Sequence, residues 1–378
     1  MRAFSYPVTT SDYTGFLSNW FAVLAMHPGL TAFQTVFSDY TPLYLYFLKA
    51  LTFIPVSSLY SIKTLTLCFD IVITVFAVLI VRAAQKGASI GQLYLSGAIM
   101  FAIPTLLINS SLWGQSDAVY ATGCIVSLYY ILKDRPLLAV LAFGFAVSVK
   151  LQAIFFLPVL IGYFMRANEK SEWSIVRLGY LLVVPAFFVL TLVPAWLSGG
   201  SLSALALTYV RQSGEYTDLN MSSPSAFAFV QQHLLSISAQ NILLFVGIGA
   251  AALCALGIVA VMSWTSASTS RRMIIMLACL SALAVPFFLP RMHERYFYLA
   301  DMFSVLYALS YPRMWYVPAL IVSASLLSYV PYLSGQVALF SSLQIDLRIP
   351  ATVLGLTLAT LFYQLFASQR RQAKLSSV

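Results

Sequence analysis

The chain has 378 residues, of which 60% are hydrophobic, 15% aromatic and only 9% charged. Soluble domains run at about a quarter charged, so a soluble multi-domain protein is excluded. A mean hydropathy of +0.87 over the whole length, carried by repeated apolar runs of roughly 17 to 25 residues, describes an all-α polytopic membrane protein. The net charge of +9, from 21 Lys and Arg against 12 Asp and Glu, orients such a chain in the bilayer, and the basic solvated face that nucleic-acid binding needs is missing.

In chain order, residues 1–40 are polar and aromatic and read as neither a signal peptide nor an anchor helix. The stretch 41–56, TPLYLYFLKALTFIPV, is short and carries Lys49 in its middle; it reads as an interfacial helix on the membrane surface. Eleven crossings follow, at 60–81, 92–109, 117–132, 136–148, 151–165, 177–197, 241–263, 273–289, 294–311, 314–332 and 347–368. The segments around Phe143 and Phe156 are short for a core of roughly 30 Å and read as a broken pair meeting at Lys150 and Gln152. Residues 199–240 form a long outer loop without obvious secondary structure, expected to be functional or disordered. The whole chain, 1–378, is one domain: outer segment 1–59, spans 60–198, outer loop 199–240, then spans and a basic tail over 241–378.

Parity places the connections at 82–91, 133–135, 166–177, 264–272 and 312–313, and the C-terminal tail, on one side. That side holds 13 of the 21 basic residues and only Asp134, Glu169 and Glu172 as acids, so it reads as cytoplasmic. The other nine acids lie outside or within the bilayer, which suggests a site handling protons or cationic charge there. Met1 then starts outside, which is read as one upstream span missing from a misassigned start. Cys68, Cys124, Cys254 and Cys279 sit inside apolar runs with no paired spacing, which suggests packing rather than disulfides or zinc.

The outer side collects polar clusters at span ends: Ser11 to Trp20, Ser38 to Pro42, Trp113-Gly-Gln115-Ser-Asp117, Val149 to Gln152, and Pro290 to Tyr298. For Asp117, an N-cap and a functional role are both open. Asp39, followed by Tyr40, Thr41 and Pro42, reads as the N-terminal signal of the interfacial helix. Capping explains Asp12 less well. Lys63 and Asp70 lie seven residues apart on one face of a span and read as functional or as an ion pair to a neighbouring helix. Arg291, His293, Glu294 and Arg295 put four ionisable groups into five residues at the expected start of a span. Two guanidiniums with free backbone amides there make a phosphate site, to which Lys150 adds a point charge. There is no Walker loop, nucleophile elbow or metal-ligand spacing.

Taken in order, the acidic first outer loop, DYTP, IKTLTLCFD, WGQSD, VKLQAIFFLP, NMSSPSAFAF and RMHERYFYLAD resemble the GT-C superfamily of integral-membrane glycosyltransferases. The likeness is nearest to bacterial mannosyltransferases related to the second mannosyltransferase of GPI-anchor synthesis, and it extends to eukaryotic enzymes that use dolichyl-phosphate glucose. It spans residues 10–310. Two departures stand out: the family's first transmembrane helix is missing, and NMSSPSAF stands where an Asn-rich stretch is usual.

The resemblance implies transfer of a mannose or glucose from a polyprenyl-phosphate sugar to a glycan or glycolipid acceptor on the outer face, with inversion. It implies Asp12 as the general base and Arg295, Arg291, His293 and Lys150 as the donor-phosphate site. Asp39, Tyr40, Lys63, Asp70, Trp113, Gln115, Asp117, Gln152 and Glu294 support the pocket. No cofactor is required and a divalent metal is not clearly implied; the implied location is a bacterial inner membrane with the site facing the periplasm. The rival reading is a secondary transporter or lipid flippase, for which inverted repeats and midplane charges are expected; a non-catalytic scaffold is the third. Convergence of Asp12, Lys150 and Arg295 in one cavity favours the transferase, whereas separation by more than ~15 Å leaves it without a site.

Overall fold

A computed structural model of the protein describes residues 2–166, 175–215, 217–264, 271–337 and 340–376. The expected cytoplasmic residues Glu169, Lys170 and Glu172, and the side chains of Arg370, Arg371 and Lys374, lie outside what is described.

The first forty residues are largely helical. A turn α1 (Arg2–Ser5) precedes a π-helical turn (Tyr13–Leu17) that runs into α2 (Ser18–Met26), and α3 (Pro42–Leu51) follows. Lys49 is buried, donating to the carbonyls of Leu24 (2.8 Å) and His27 (2.7 Å). It therefore closes the C-terminal end of α2, where a cation is favoured, instead of facing headgroups. The next helices are α4 (Ser58–Ala84), α5 (Ile90–Phe101), α6 (Pro104–Leu107), α7 (Asp117–Leu132), α8 (Pro136–Val149) and α9 (Leu157–Met165). They lead into α10 (Ile175–Gly179), α11 (Val183–Leu197), α12 (Leu202–Ala206) and α13 (Thr208–Glu215). The series closes with α14 (Ile237–Trp264), α15 (Arg271–Phe288), α16 (Tyr298–Ser310), α17 (Tyr316–Ser334) and α18 (Arg348–Ser376). One two-residue parallel pairing joins β1 (Asn220–Met221) to β2 (Met292–His293).

Every expected crossing is helical, but the lengths divide them. Among the described residues, six are long and apolar enough to cross a membrane: Ser58–Ala84, Arg177–Leu197, Ile237–Trp264, Arg271–Phe288, Pro312–Ser334 and Arg348–Ala367. A seventh, Ile90–Phe101 with Pro104–Trp113, is bent by 51°. Pro104 opens α6 without an N–H, which a continuing α5 would need. The remaining four, Asp117–Leu132, Pro136–Val149, Leu151–Met165 and Tyr298–Ser310, are shorter apolar helices. At 1.5 Å per residue they reach only about 20 to 24 Å.

These short helices are largely the buried centre of the bundle. Only three residues of α7 keep appreciable exposure, and Gly123 lets it approach α8 so closely that a Cβ would lie 2.7 Å from the Ala142 carbonyl oxygen. One end of the bundle is levelled by basic and amide side chains. Arg271 donates to the carbonyls of Leu132 (3.3 Å) and Ala83 (2.9 Å), and Gln85 donates to that of Leu309 (2.6 Å). Flush at that end, the short helices stop early at the other, and the expected break at Lys150 falls there, between α8 and a 3-10 turn Leu151–Phe156. A recess is the result.

The segment 199–240 is folded rather than featureless. It holds α12, α13, β1 and two 3-10 turns, Ala226–Phe229 and Gln232–Leu234, and it buries Leu219, Ser223, Ser225 and Phe227.

Candidate active site

Asp12 enters the recess on a segment pinned from below. The Lys63 ammonium donates to the carbonyls of Ser5 (3.0 Å), Tyr6 (3.0 Å) and Val8 (2.7 Å). Asp70, one face-repeat along α4, accepts from Arg2 (2.6 Å) and Ser110 (2.6 Å). Lys63 and Asp70 therefore stand apart from the site: Asp70 is ion-paired to Arg2 on the neighbouring helix α1 and hydrogen-bonded to Ser110 of the bent span, and the two residues fix the chain that carries Asp12.

The Asp12 carboxylate accepts from four side chains. Its Oδ1 takes the Tyr332 hydroxyl at 2.6 Å, and its Oδ2 takes Trp113 Nε1 at 3.0 Å, the Gln115 amide, and Arg295 at 3.4 Å. Trp113 and Gln115 reach it because the π turn Ile108–Trp113 ends on Gly114, whose φ of +77° a side chain rarely adopts. Asp117 is not an N-cap: Ser116 occupies that position without a capping bond, and Asp117 is the first residue of α7. Its carboxylate accepts from Asn109 (2.8 Å) and is ion-paired with Lys150. Both members of that pair are buried, and the Lys150 ammonium lies 5.8 Å from the Tyr40 ring centre.

Asp39 does not cap α3 either. Thr41 is the N-cap, with Pro42 at the first helical position and the Thr41 hydroxyl donating to the Ser148 carbonyl at 2.6 Å. Asp39 is thereby left to line the recess beside Tyr40.

The Arg291 to Arg295 group precedes its helix instead of opening it. The span begins at Tyr298, so the helical amides expected to help bind an anion lie further on. Residues 291–293 are drawn to segment 199–240: the Arg291 amide donates to the Leu219 carbonyl at 2.8 Å, and β2 pairs with β1. Arg291 takes a left-handed φ of +62° to make this turn, a strained choice for a long side chain.

Arg295 is surrounded by carboxylates. It donates to Glu294 at 2.9 Å, reaches Asp12 at 3.4 Å and stands 3.8 Å from Asp117. Burial opposes its charge, yet Glu294, Asp12 and Asp117 together hold it well above the ordinary guanidinium value. Burial also pushes Glu294 up, against the pull of Arg295. His293 is pushed down to about 3, by burial first and then by Arg295 and Lys150. It is therefore neutral at pH 7 and can offer a phosphate a hydrogen bond but no charge.

Two clefts meet at this cluster. One, of about 70 Å³, is lined by Asp12, Asp39, Gln115, Lys150, Glu215 and Arg295 with the aromatic rings of Phe16, Trp20 and Tyr40. The other, of about 330 Å³, is apolar, with Leu151, Ile154, Phe155, Leu244, Ile248 and Leu289 on its walls and Gln152, Arg291 and His293 among them. Gln212, His293 and Tyr296 line both. Asp12, Lys150 and Arg295 thus line one cleft.

Sequence reasoning missed Tyr332, which lies in a span that reads as generic, and did not single out Gln212 or Glu215 within the 199–240 segment. Asn109 was hidden at a span end. The short YVPYLSGQ run at 329–336 places two tyrosines at a span end, the kind of local signal that could have pointed to Tyr332.

No curated protein matches the chain. The family model of Glycosyltransferase family 87 matches residues 37–290 of the 378. That stretch carries Asp39, Asp117 and Lys150, while Asp12 and Arg295 flank it. The match covers more than half of the chain, and with it the apolar helices and a polar recess at one end have a common account: the chain belongs to Glycosyltransferase family 87 and is a membrane glycosyltransferase of the GT-C type.

Proposed function

We propose that the protein moves a hexose, mannose or glucose, from a polyprenyl-phosphate sugar to a hydroxyl of a glycan or glycolipid acceptor, with inversion at the anomeric carbon. The observation that carries this reading is the junction of the two clefts. An apolar cleft with Arg291 and His293 at its mouth suits an isoprenoid phosphate, and it opens at His293 and Tyr296 into the space that holds Asp12. Sugar and base then meet at the junction.

In this reaction the acceptor O–H breaks as its proton passes to Asp12, and the acceptor oxygen bonds to the anomeric carbon from the face opposite the phosphate. The bond from that carbon to the phosphate oxygen breaks, and the oxygen keeps the electron pair. The leaving polyprenyl phosphate is met by Arg291 and needs no acid to protonate it, so one carboxylate suffices where a glycosidase uses two. Arg291 and His293 line the apolar cleft in which an isoprenoid phosphate would lie, whereas the charges of Arg295 and Lys150 face Glu294, Asp12 and Asp117. Arg295 is then the residue that orders the carboxylates.

The basic end of the bundle fits the cytoplasmic side, which turns the recess toward the exterior, the periplasm in a bacterial inner membrane. The test is incubation of the purified protein with polyprenyl-phosphate mannose, polyprenyl-phosphate glucose and a nucleotide sugar, with a glycolipid acceptor. Release of polyprenyl phosphate from one lipid donor is expected; transfer from the nucleotide sugar alone would overturn the reading.

A further inference from the structure

We propose that Tyr332, on the last turn of α17, is the positioning residue of the general base: it selects Asp12 Oδ1 as the atom that takes the proton and accommodates the proton when it arrives. The inference rests on the assignment of Asp12 as the base. Three donors crowd Oδ2, namely Trp113, Gln115 and Arg295. Oδ1 accepts from Tyr332 alone among the described residues. A carboxylate oxygen has room for about two in-plane hydrogen bonds, so Oδ1 keeps one site open and Oδ2 keeps none.

The hydroxyl of Tyr332 has a second partner. It lies 2.7 Å from Ser11 Oγ, and because an ionised carboxylate only accepts, Tyr332 donates to Asp12 and Ser11 donates to Tyr332. When the acceptor's proton bonds to Oδ1, that oxygen no longer suits the phenol's donation, and the phenol can turn its proton toward Ser11 Oγ. The proton count is unchanged throughout: one O–H breaks on the acceptor and one forms on Oδ1, while the Tyr332 and Ser11 protons only reorient.

The ring that carries this hydroxyl is itself held. Tyr332 stacks on Trp113 with centres 4.7 Å apart and planes 20° apart. Gln336, one turn on, donates to the Tyr332 carbonyl at 2.9 Å and accepts the Ser11 amide at 2.6 Å. The end of α17 thus grips the backbone and the carboxylate of 11–12 together. Neither Tyr332 nor Asp12 lies in the stretch matched by the family model, 37–290, so this pairing is a feature of the chain's own two flanks.

Tyr332→Phe removes one oxygen and keeps the stacked ring. The expected result is a ten- to hundredfold fall in kcat, the size of a lost hydrogen bond to a charged group, with the KM values of donor and acceptor within about twofold of the parent, since no substrate group is lost. In an Asp12→Asn background, whose residual rate is measured under single turnover, the same change is expected to do nothing further, because the two residues act as one unit. Ser11→Ala, which leaves the phenol in place, is expected to lower kcat by a smaller factor and serves as the reading if Tyr332→Phe does not fold. An unchanged kcat in Tyr332→Phe, or equal losses in both backgrounds, overturns the proposal. An unimpaired Asp12→Asn overturns the base assignment instead.

Discussion

Arg295 offers the sharpest test of how the site is held. Its guanidinium faces three carboxylates, but they depend on it unequally. Asp12 keeps Trp113, Gln115 and Tyr332 if Arg295 is removed, and Asp117 keeps Lys150 and Asn109. Among the described residues, Glu294 keeps a hydrogen bond from its own backbone amide and the His293 ring at 3.8 Å, and neither carries charge. With 3% of its side chain exposed, Glu294 becomes an uncompensated buried charge in Arg295→Ala, which costs about 3 to 5 kcal/mol. The double variant Arg295→Ala, Glu294→Gln removes that charge and is expected to recover most of the loss.

The sign with pH follows from the direction of the Glu294 shift. A carboxyl raised by burial contributes its full stability below its unfolded value and loses it as pH rises through the folded value. The gap between single and double variants therefore closes on acidification toward pH 4 and opens toward pH 8. Thermal unfolding of the purified protein in detergent, followed by tryptophan fluorescence at both pH values, measures it. If Glu294→Gln does not rescue Arg295→Ala at pH 8, the carboxylate cage is not what holds this arginine, and a phosphate-clamp role for Arg295 regains its place.

Asp12→Asn is expected to lower transfer by about 10² to 10⁴ while donor binding persists; activity within about threefold of the parent would move the base to Asp39 or Asp117. Arg291→Ala is expected to weaken donor binding about ten- to a hundredfold with less effect on turnover, measured by titrating polyprenyl-phosphate sugar. His293, neutral in the fold with a value near 3 against 6.5 unfolded, stabilises above pH 6.5 and loses that contribution as pH falls toward 3. His293→Gln is thus expected to flatten the fall in unfolding temperature between pH 6.5 and 4. Protection of 199–240 from protease by the polyprenyl-phosphate donor is expected as well, since Gln212 lines both clefts; equal cleavage with and without donor would count against closure of this segment on the sugar.

The parts of the site legible in sequence are those that sit at the ends of apolar runs, where a polar residue stands out against its surroundings. WGQSD, Lys150 and the Arg291 to Arg295 group were found that way. What stayed hidden depends on contacts between distant positions. Asp12 and Tyr332 are 320 residues apart, and no local periodicity reports such a pairing. The cap positions were settled by contacts of the same kind, against the capping expected of Asp39 and in favour of the second of the two readings open for Asp117. Asp39 and Asp117 stand beside helix starts, but Thr41 and Ser116 take the cap positions, which leaves both carboxylates for the recess. Lys63 and Asp70 carried a true signal of purpose, since charge inside a bilayer needs a partner. For Asp70 the partner is Arg2 on helix α1, the ion pair to a neighbouring helix that the sequence reading offers, whereas Lys63 is met by the backbone carbonyls of Ser5, Tyr6 and Val8, which a helix-face argument confined to one span does not reveal.

The depth of the site follows from helix length. Four helices, α7, α8, α16 and the 151–165 segment, run 13 to 16 residues, about 6 to 10 Å short of a hydrocarbon core of roughly 30 Å. Because the side chains of Arg271 and Gln85 level α7, α16 and the end of α4 at the basic end, the shortfall accumulates at the opposite end. The outer parts of longer helices, α14 with Leu244 and Ile248 among them, wall it. For the lipid-phosphate donor of the proposed reaction, a recessed floor would let the phosphate enter from the side without lifting the tail into water, which would cost about 0.8 kcal/mol per CH₂ exposed. Around the recess the chain places its π turn Ile108–Trp113, its break at Lys150 and its left-handed Arg291, irregular backbone tolerated because it lines a cavity. Lengthening α16 by one turn at Tyr298 would raise the floor by about 5 Å, carry Arg295 away from Asp12 and close the junction of the two clefts. Such an insertion is expected to leave a folded protein without transfer activity; retained transfer would separate the depth of the recess from its function.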